Sequence, residues 1–423
     1  MELIFSIPYI IKVVLSLAFI LIINRLIGRL YLAVICGTVF LGFVSGHSPY
    51  SMAEITLNKA LSANTLFLII IIFQVIWLSS QMSDAGVMKD LVISVNNGLS
   101  RRTSMAVLPA VIGLLPMPGG ALFSAPLVDE CDFNNDISSL RKTEINYWFR
   151  HVWEYWWPLY PGVLLAVDLT GLPILHFMAF QLPMSLISVL AGYIFILRKT
   201  DHMENQNSSK SDAFRDTIVH ITPVIIIIFT YGIIKLFIPT VSAINKYLPM
   251  TAGIALAQVY LQLRRPIPFS NWKNIFLSGK TMNLAIIVLF ILIYGAFISS
   301  PLPDGSLIMD HMKNELSSWG IPLFFVIMLI PFISGMTTGI AVGFVGASFP
   351  IIVSLAGGDI SYLTLAYGCG YMGMILSPVH VCLLVTAEHF NTDVGAVIRN
   401  LFNPVAMVLA GTLILHFIYK IIF

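Results

Sequence analysis

Ten stretches of this sequence are apolar over lengths that match a lipid bilayer: residues 3–23, 30–44, 64–80, 148–168, 174–197, 218–237, 250–263, 283–299, 363–385 and 401–419. A helix needs roughly 20 mostly apolar residues to cross a hydrocarbon core of about 30 Å. Lipid offers no partner to backbone N–H and C=O groups, so segments of this kind must satisfy themselves as helices. Composition agrees, with 57% hydrophobic and 10% charged residues, against about 25% charged in soluble domains. The pattern predicts an all-α polytopic membrane protein. A net charge of +2 without a basic, aromatic-interleaved stretch gives no nucleic-acid-binding face. Cys36, Cys131, Cys369 and Cys382 lack the paired spacing of a disulfide framework or a zinc site. The first apolar stretch has no small-residue cleavage site after it and reads as a retained helix.

Two further apolar segments, 105–128 and 321–354, are broken near their middles. The first break reads Leu115-Pro116-Met117-Pro118-Gly119-Gly120, and the second Ser334-Gly335-Met336-Thr337-Thr338-Gly339. The distribution of positive residues decides whether each crosses or turns back, because Lys and Arg accumulate on the cytoplasmic side. If both are re-entrant hairpins and the N-terminus is outside, most of the 23 Lys and Arg residues, Arg150 among them, fall in the cytoplasm. Only Lys12, Lys59, Lys235, Lys246, Lys313 and Lys420 are then left outside or in the membrane. A single crossing at 105–128 would destroy that asymmetry.

Re-entrant hairpins also expose a repeat. Residues 1–197 and 217–423 share one order: three helices, a hairpin, a polar-interrupted helix and a final helix. The hairpins share a Pro-x-x-x-Gly entry, Pro109 with Gly113 and Pro331 with Gly335. Five crossings per half make the halves inverted, ten transmembrane helices and two hairpins in all. The polar segment 198–216 is the expected cytoplasmic linker.

Glycine- and proline-broken segments at matching places in two halves point to a mid-membrane binding site. Half-helix N-termini present free N–H groups and a positive dipole end, which favour an anion without a buried cation. Freed carbonyls near Gly120 and Thr338 are expected to hold a sodium ion if one is coupled. No metal-ligand set and no cofactor are assigned.

The interrupted helices carry Trp153-Glu154-Tyr155-Trp156-Trp157-Pro158-Leu159-Tyr160-Pro161 and Ser377-Pro378-Val379-His380. Trp157 and Tyr160 are expected to line a cavity, and Trp148 and Trp153 to belong to an interfacial belt. His380, with an ordinary pKa near 6.5, suits proton coupling or a hydrogen bond to a carboxylate. A satisfied polar residue between helices is the equal alternative. Glu154 lies one turn from Arg150 and His151, which reads as a local ion pair near the interface. Asp168 reads as the outer end of its helix. His151 and Glu154 as metal ligands would need partners that the sequence does not show.

The run from Leu115 to Pro126 and the aromatic stretch from Tyr147 to Pro161 resemble the domain of unknown function 401 family over essentially the whole chain. That family is grouped with the ion transporter superfamily, whose members move dicarboxylates, citrate, gluconate, arsenite or sodium. The resemblance implies substrate bound between two hairpin tips and two unwound helices, elevator-like movement and a homodimer. Ser-Asn-Thr tips are replaced here by Pro-Met-Pro-Gly-Gly. Residues and resemblance together give a candidate substrate set of Met117, Pro118, Gly119, Gly120, Ser124, Trp157, Tyr160, Ser334, Gly335, Thr337, Thr338, Gly339, Ser377 and His380.

The expected function is secondary active transport of a small carboxylate-type anion coupled to Na+ or H+, in the inner membrane of a prokaryotic cell. A cation/proton antiporter, with Glu154 or Asp168 as the exchanging carboxylate, is the alternative. No His-Glu-x-x-His, paired aspartates or serine with a convincing base suggests an enzyme.

Overall fold

A computed structural model describes residues 7–116, 120–132, 136–199, 210–276 and 278–423. In its first half the helices are α1 (Tyr9–Ile27), α2 (Leu30–Val44), α3 (Pro49–Ala60), α4 (Ala63–Asp84), α5 (Val87–Gly98), α6 (Arg101–Ile112), α7 (Gly120–Glu130), α8 (Ser139–Arg150), α9 (Pro161–Thr170) and α10 (Ile174–Phe195). The second half holds α11 (Lys210–Phe237), α12 (Pro239–Ile244), α13 (Leu248–Arg264), α14 (Phe269–Phe276), α15 (Gly279–Ser299), α16 (Ile308–Ser318), α17 (Leu323–Thr338), α18 (Ala341–Ala356), α19 (Ile360–Ile375), α20 (Val381–His389) and α21 (Val394–Ile422). Among the described residues the only β pairing is one bridge, Pro301 with Leu307.

The chain is a helical multi-pass membrane protein. Among the described residues six helices are able, by length and composition, to cross a bilayer: Tyr9–Ile27, Ala63–Asp84, Ile174–Phe195, Arg215–Phe237, Thr281–Ser299 and Val394–Ile422. The other apolar stretches fall on shorter helices or on broken ones. Stretch 148–168 divides between the end of α8 and α9, and stretch 363–385 between α19 and α20. Large apolar side chains such as Leu26, Leu66, Leu186, Phe229 and Phe417 stand exposed on the outside, as lipid-facing residues do.

Short helices absent from the apolar pattern fill the spaces between spans. One of them, α16, supplies Glu315, whose carboxylate accepts from the Tyr9 and Ile10 N–H groups at 2.7 Å each. A carboxylate there satisfies donors that a helix start leaves open and meets the positive end of its dipole. Side-chain caps define the starts of the elements that matter below: Ser100 accepts from Thr103 N–H, Ser138 from Arg141 N–H and Asp359 from Ser361 N–H.

Helix contacts follow one pattern in both halves. In the first, α6 packs on α7 and α8; in the second, α17 packs on α18 and α19. Across the halves, α7 packs on α20 and α18 packs on α9. Lipid supplies little hydrophobic drive between helices, so close approach through small residues is what holds such pairs. At the α17–α19 contact a Cβ on Gly335 would overlap the Gly370 carbonyl, and one on Gly373 would overlap that of Phe332. The two backbones touch.

Helix α8 is polar yet buried from Lys142 to Arg150. Buried polar groups are tolerated when partnered, and several here have charged or polar partners. Lys142 reaches Asp129 and Asp132, each at 2.7 Å. Glu144 accepts from Asn400 Nδ2 at 2.6 Å, and Asn146 Nδ2 donates to Thr386 Oγ1 at 3.0 Å.

Candidate functional site

Helix α8 ends at Arg150, and residues 151–160 run through turns before α9 begins at Pro161. A helix end leaves its last carbonyls without partners, and this break supplies donors to the neighbouring end of α6. Trp153 Nε1 donates to Ala110 O at 2.8 Å, Trp157 Nε1 to Leu114 O at 2.9 Å, and the Tyr160 hydroxyl to Gly113 O. The aromatic stretch therefore caps α6 from the side. Both indoles expected in an interfacial belt hydrogen-bond to backbone carbonyls, Trp148 Nε1 to Ser188 O at 2.9 Å.

The second break lies between Ile375, the end of α19, and Val381, the start of α20. Ser377 Oγ donates to Met336 O at 2.7 Å, as Trp157 Nε1 does to Leu114 O. Gly339, in the left-handed region at φ 65°, closes α17 and sits against Ser377 Oγ and the His380 N–H. A Cβ on Gly113 would overlap the Arg150 carbonyl, just as one on Gly335 would overlap that of Gly370.

The two breaks face one another and exchange hydrogen bonds. Tyr147 donates its hydroxyl to Ile375 O at 2.9 Å, and Tyr367 donates to Glu154 O at 2.8 Å. Tyr371 donates to His151 O at 2.7 Å. His151 Nε2 and His380 Nε2 lie 3.1 Å apart, with the Tyr147 ring edge-on to both imidazoles.

Arg150 stands at the centre. Its residue is 3% exposed, on a helix packed against α6, α7, α20 and α21. Its guanidinium occupies the space beside Gly120, the first residue of α7, where a Cβ would overlap Nη2. Nη1 lies 3.6 Å from the sulfur of Cys382, in the first turn of α20. Glu154 Oε1 is 4.0 Å from Nη1 and 3.8 Å from His151 Nε2. The local ion pair read from the sequence is thus present, and Glu154, at 7% exposure, is buried within the protein. A buried cation at the starts of two helices, with one carboxylate as partner, is an environment suited to a second negative charge.

Among the candidate substrate residues, Gly120, Tyr160, Gly339, Ser377 and His380 come together around this centre. Ser124, Thr337 and Thr338 spend their hydroxyls on their own helices, on Gly120 O, Ile333 O and Ser334 O. Trp157 is buried and caps Leu114 O, while Ser334 Oγ and Gly335 lie buried inside α17. Met117, Pro118 and Gly119 lie outside the described residues. Sequence reasoning missed Arg150, Cys382, Tyr147, Tyr367 and Tyr371; Gly113 and Gly120 were the available signal, since both glycines make room for Arg150. Asp168 does stand near the end of α9, accepting from the Tyr247 hydroxyl at 2.6 Å with Lys246 Nζ at 3.0 Å.

Fold and site define a helical multi-pass membrane protein with two broken helices meeting around a buried arginine. The chain belongs to the family described as "Protein of unknown function (DUF401)", whose profile matches residues 10–422. No curated protein matches the chain. Among solved structures, the Alcanivorax borkumensis YdaH transporter superimposes with a TM-score of 0.47 at 10% identity, covering 89% of this chain and 90% of that one. At that distance the activity has to be read from the chain's own residues.

Proposed function

We propose that this protein is a secondary active transporter of a small carboxylate-type anion, coupled to Na+ or H+ and moving its site in an elevator-like manner. The observation that carries the reading is Arg150: a guanidinium 3% exposed, lying against the first residue of α7 and the first turn of α20. Two half-helix N-termini and a buried cation together favour an anion more strongly than dipoles alone. Non-helical backbone at membrane depth is tolerated where it is buried in protein or lines a cavity, and both breaks converge here.

The halves 1–197 and 217–423 are proposed as inverted repeats, each with a re-entrant hairpin near 105–128 or 321–354, joined by a cytoplasmic linker at 198–216. The matched contacts support this. Gly113 on the Arg150 carbonyl corresponds to Gly335 on the Gly370 carbonyl, and Trp157 on Leu114 O corresponds to Ser377 on Met336 O. In that correspondence Arg150 matches a glycine, so the charge belongs to one half only. The distribution of Lys and Arg supports a prokaryotic inner membrane with the N-terminus outside.

A cation/proton antiporter is the second reading, favoured by one observation: Glu154 is a buried carboxylate in the same cluster. Proteoliposomes separate the two. Uptake of a labelled carboxylate driven by an imposed sodium or proton gradient, and lost in Arg150→Gln, is the expected result. Gradient-driven cation exchange that needs Glu154 and ignores carboxylates would replace the proposal with the antiporter.

A further inference from the structure

Within the same cluster, three potential metal ligands stand together. His151, from the first break, faces His380 and Cys382, from the second, and their ligand atoms all lie within 4.8 Å of one another. The two imidazole Nε2 atoms are 3.1 Å apart. Bonds of about 2.0–2.1 Å to nitrogen and about 2.3 Å to sulfur in a tetrahedral site place ligand atoms roughly 3.3–3.8 Å from each other. The histidine pair is already near that spacing, and the Cys382 sulfur lies within 4.8 Å of both rings' ligand atoms.

The tautomers are compatible with a metal. His151 Nδ1 is 2.6 Å from the Tyr147 carbonyl oxygen, a contact that requires Nδ1–H to donate. Its Nε2 is then a lone pair aimed at His380. Without a metal, His380 must donate from Nε2, which leaves its Nδ1 a bare acceptor, buried and without a hydrogen-bond partner. A metal between the rings takes both Nε2 lone pairs and lets His380 carry its proton on Nδ1. The His151 arrangement, one ring nitrogen fixed by a carbonyl so that the other is presented, is what metal-bound histidines generally show.

We infer that His151, His380 and Cys382 form a binding site for one zinc-like transition-metal ion that joins the two broken helices. Glu154, 3.8 Å from His151 Nε2, is positioned to supply the fourth ligand. Arg150 Nη1, 3.6 Å from the Cys382 sulfur, stabilises the thiolate that the metal needs. Thiolate and carboxylate together leave one positive charge uncompensated against a divalent metal and Arg150, which an anion would neutralise. The site itself does not depend on the transport reading.

The test is Co2+ titration of purified protein in detergent, followed by absorption and by metal content. The expected result is one Co2+ per chain, with intense tetrahedral d–d bands and a sulfur-to-metal charge-transfer band, all displaced by Zn2+. Cys382→Ser should abolish the charge-transfer band, and His380→Ala should weaken Co2+ binding at least tenfold. Because a variant can misfold, alkylation of the wild-type protein gives a second readout: Zn2+ should protect Cys382 and leave labelling of Cys36 unchanged. Absence of the charge-transfer band, its survival in Cys382→Ser, or equal alkylation of Cys382 with and without Zn2+ would overturn the site. None of these readouts involves transport, so the anion reading can fail while the metal site stands, and the reverse.

Discussion

Gly113 lies in backbone contact with Arg150: no Cβ fits between the α-carbon of the one and the carbonyl oxygen of the other. Gly335 stands in the same relation to Gly370. Carbonyl oxygens cannot rotate away as side chains can, so an added methyl must part α6 from α8, or α17 from α19. Gly113→Ala and Gly335→Ala should each cost about 1–3 kcal/mol, the range of overpacked interiors, and lower the melting temperature in detergent. Gly232→Ala is the control, because nothing lies within 4 Å of its added Cβ; there the substitution should be neutral or stabilising, as alanine favours a helix interior. A larger loss at Gly232 than at the other two would contradict the packing described.

The hydroxyls that cross between the breaks are the second element open to test. Tyr147→Phe leaves Ile375 O without its side-chain donor, and Tyr367→Phe does the same to Glu154 O. Each orphaned acceptor should cost about 1–3 kcal/mol. The two bonds tie the same pair of breaks from opposite sides, so the double variant should depart from additivity by more than about 0.5 kcal/mol. Simple additivity, measured by denaturant titration, would mean that the breaks are held independently.

Acid should loosen the segment between α7 and α8. Arg101 pairs with Asp132 and with Asp136 in that connection. Chiefly through its hydrogen bond to Arg101, the Asp136 carboxyl is held below the usual carboxylate range. A group whose folded pKa is depressed contributes stability above its unfolded pKa of about 3.9 and loses it as pH falls through the folded value. Proteolysis of the 131–138 connection should therefore rise as pH drops through and below that range, and Asp136→Asn should show the higher rate already at neutral pH. A variant with unchanged cleavage at neutral pH would show that the pair does not hold the segment.

Hydropathy and punctuation made much of the architecture legible. Six of the ten apolar runs fall on helices able to cross a bilayer, and prolines marked both broken helices, because lipid imposes a length and helices a backbone rule. The centre was not legible, for a physical reason. The α8 sequence Ser-Leu-Arg-Lys-Thr-Glu-Ile-Asn-Tyr-Trp-Phe-Arg looks like a wet surface helix, and partners far along the chain help to bury it: Thr386, Thr392 and Asn400. Arg150 was accordingly counted with the loops. Cys382 passed as a small apolar residue, since nothing local reveals a guanidinium opposite it. His380 was legible as an ionisable residue in an apolar run, whereas its pairing with His151, 229 residues away, was not.

Arg150 also predicts a chemical preference that lysine cannot meet. A planar guanidinium presents paired donors to a carboxylate, and an ammonium does not. Arg150→Lys should keep the charge and the fold yet weaken carboxylate binding at least tenfold, read as a smaller ligand-induced rise in melting temperature. Equal affinity in the two proteins would reduce the role of Arg150 to its charge.

The most direct measurement of the central claim is calorimetric titration of the purified protein with a panel of small mono-, di- and tricarboxylates, beside Arg150→Gln. The account predicts saturable binding of at least one carboxylate to the wild-type protein and no measurable binding of it to Arg150→Gln at matched thermal stability. Binding of the same carboxylate to both proteins with equal affinity would contradict it.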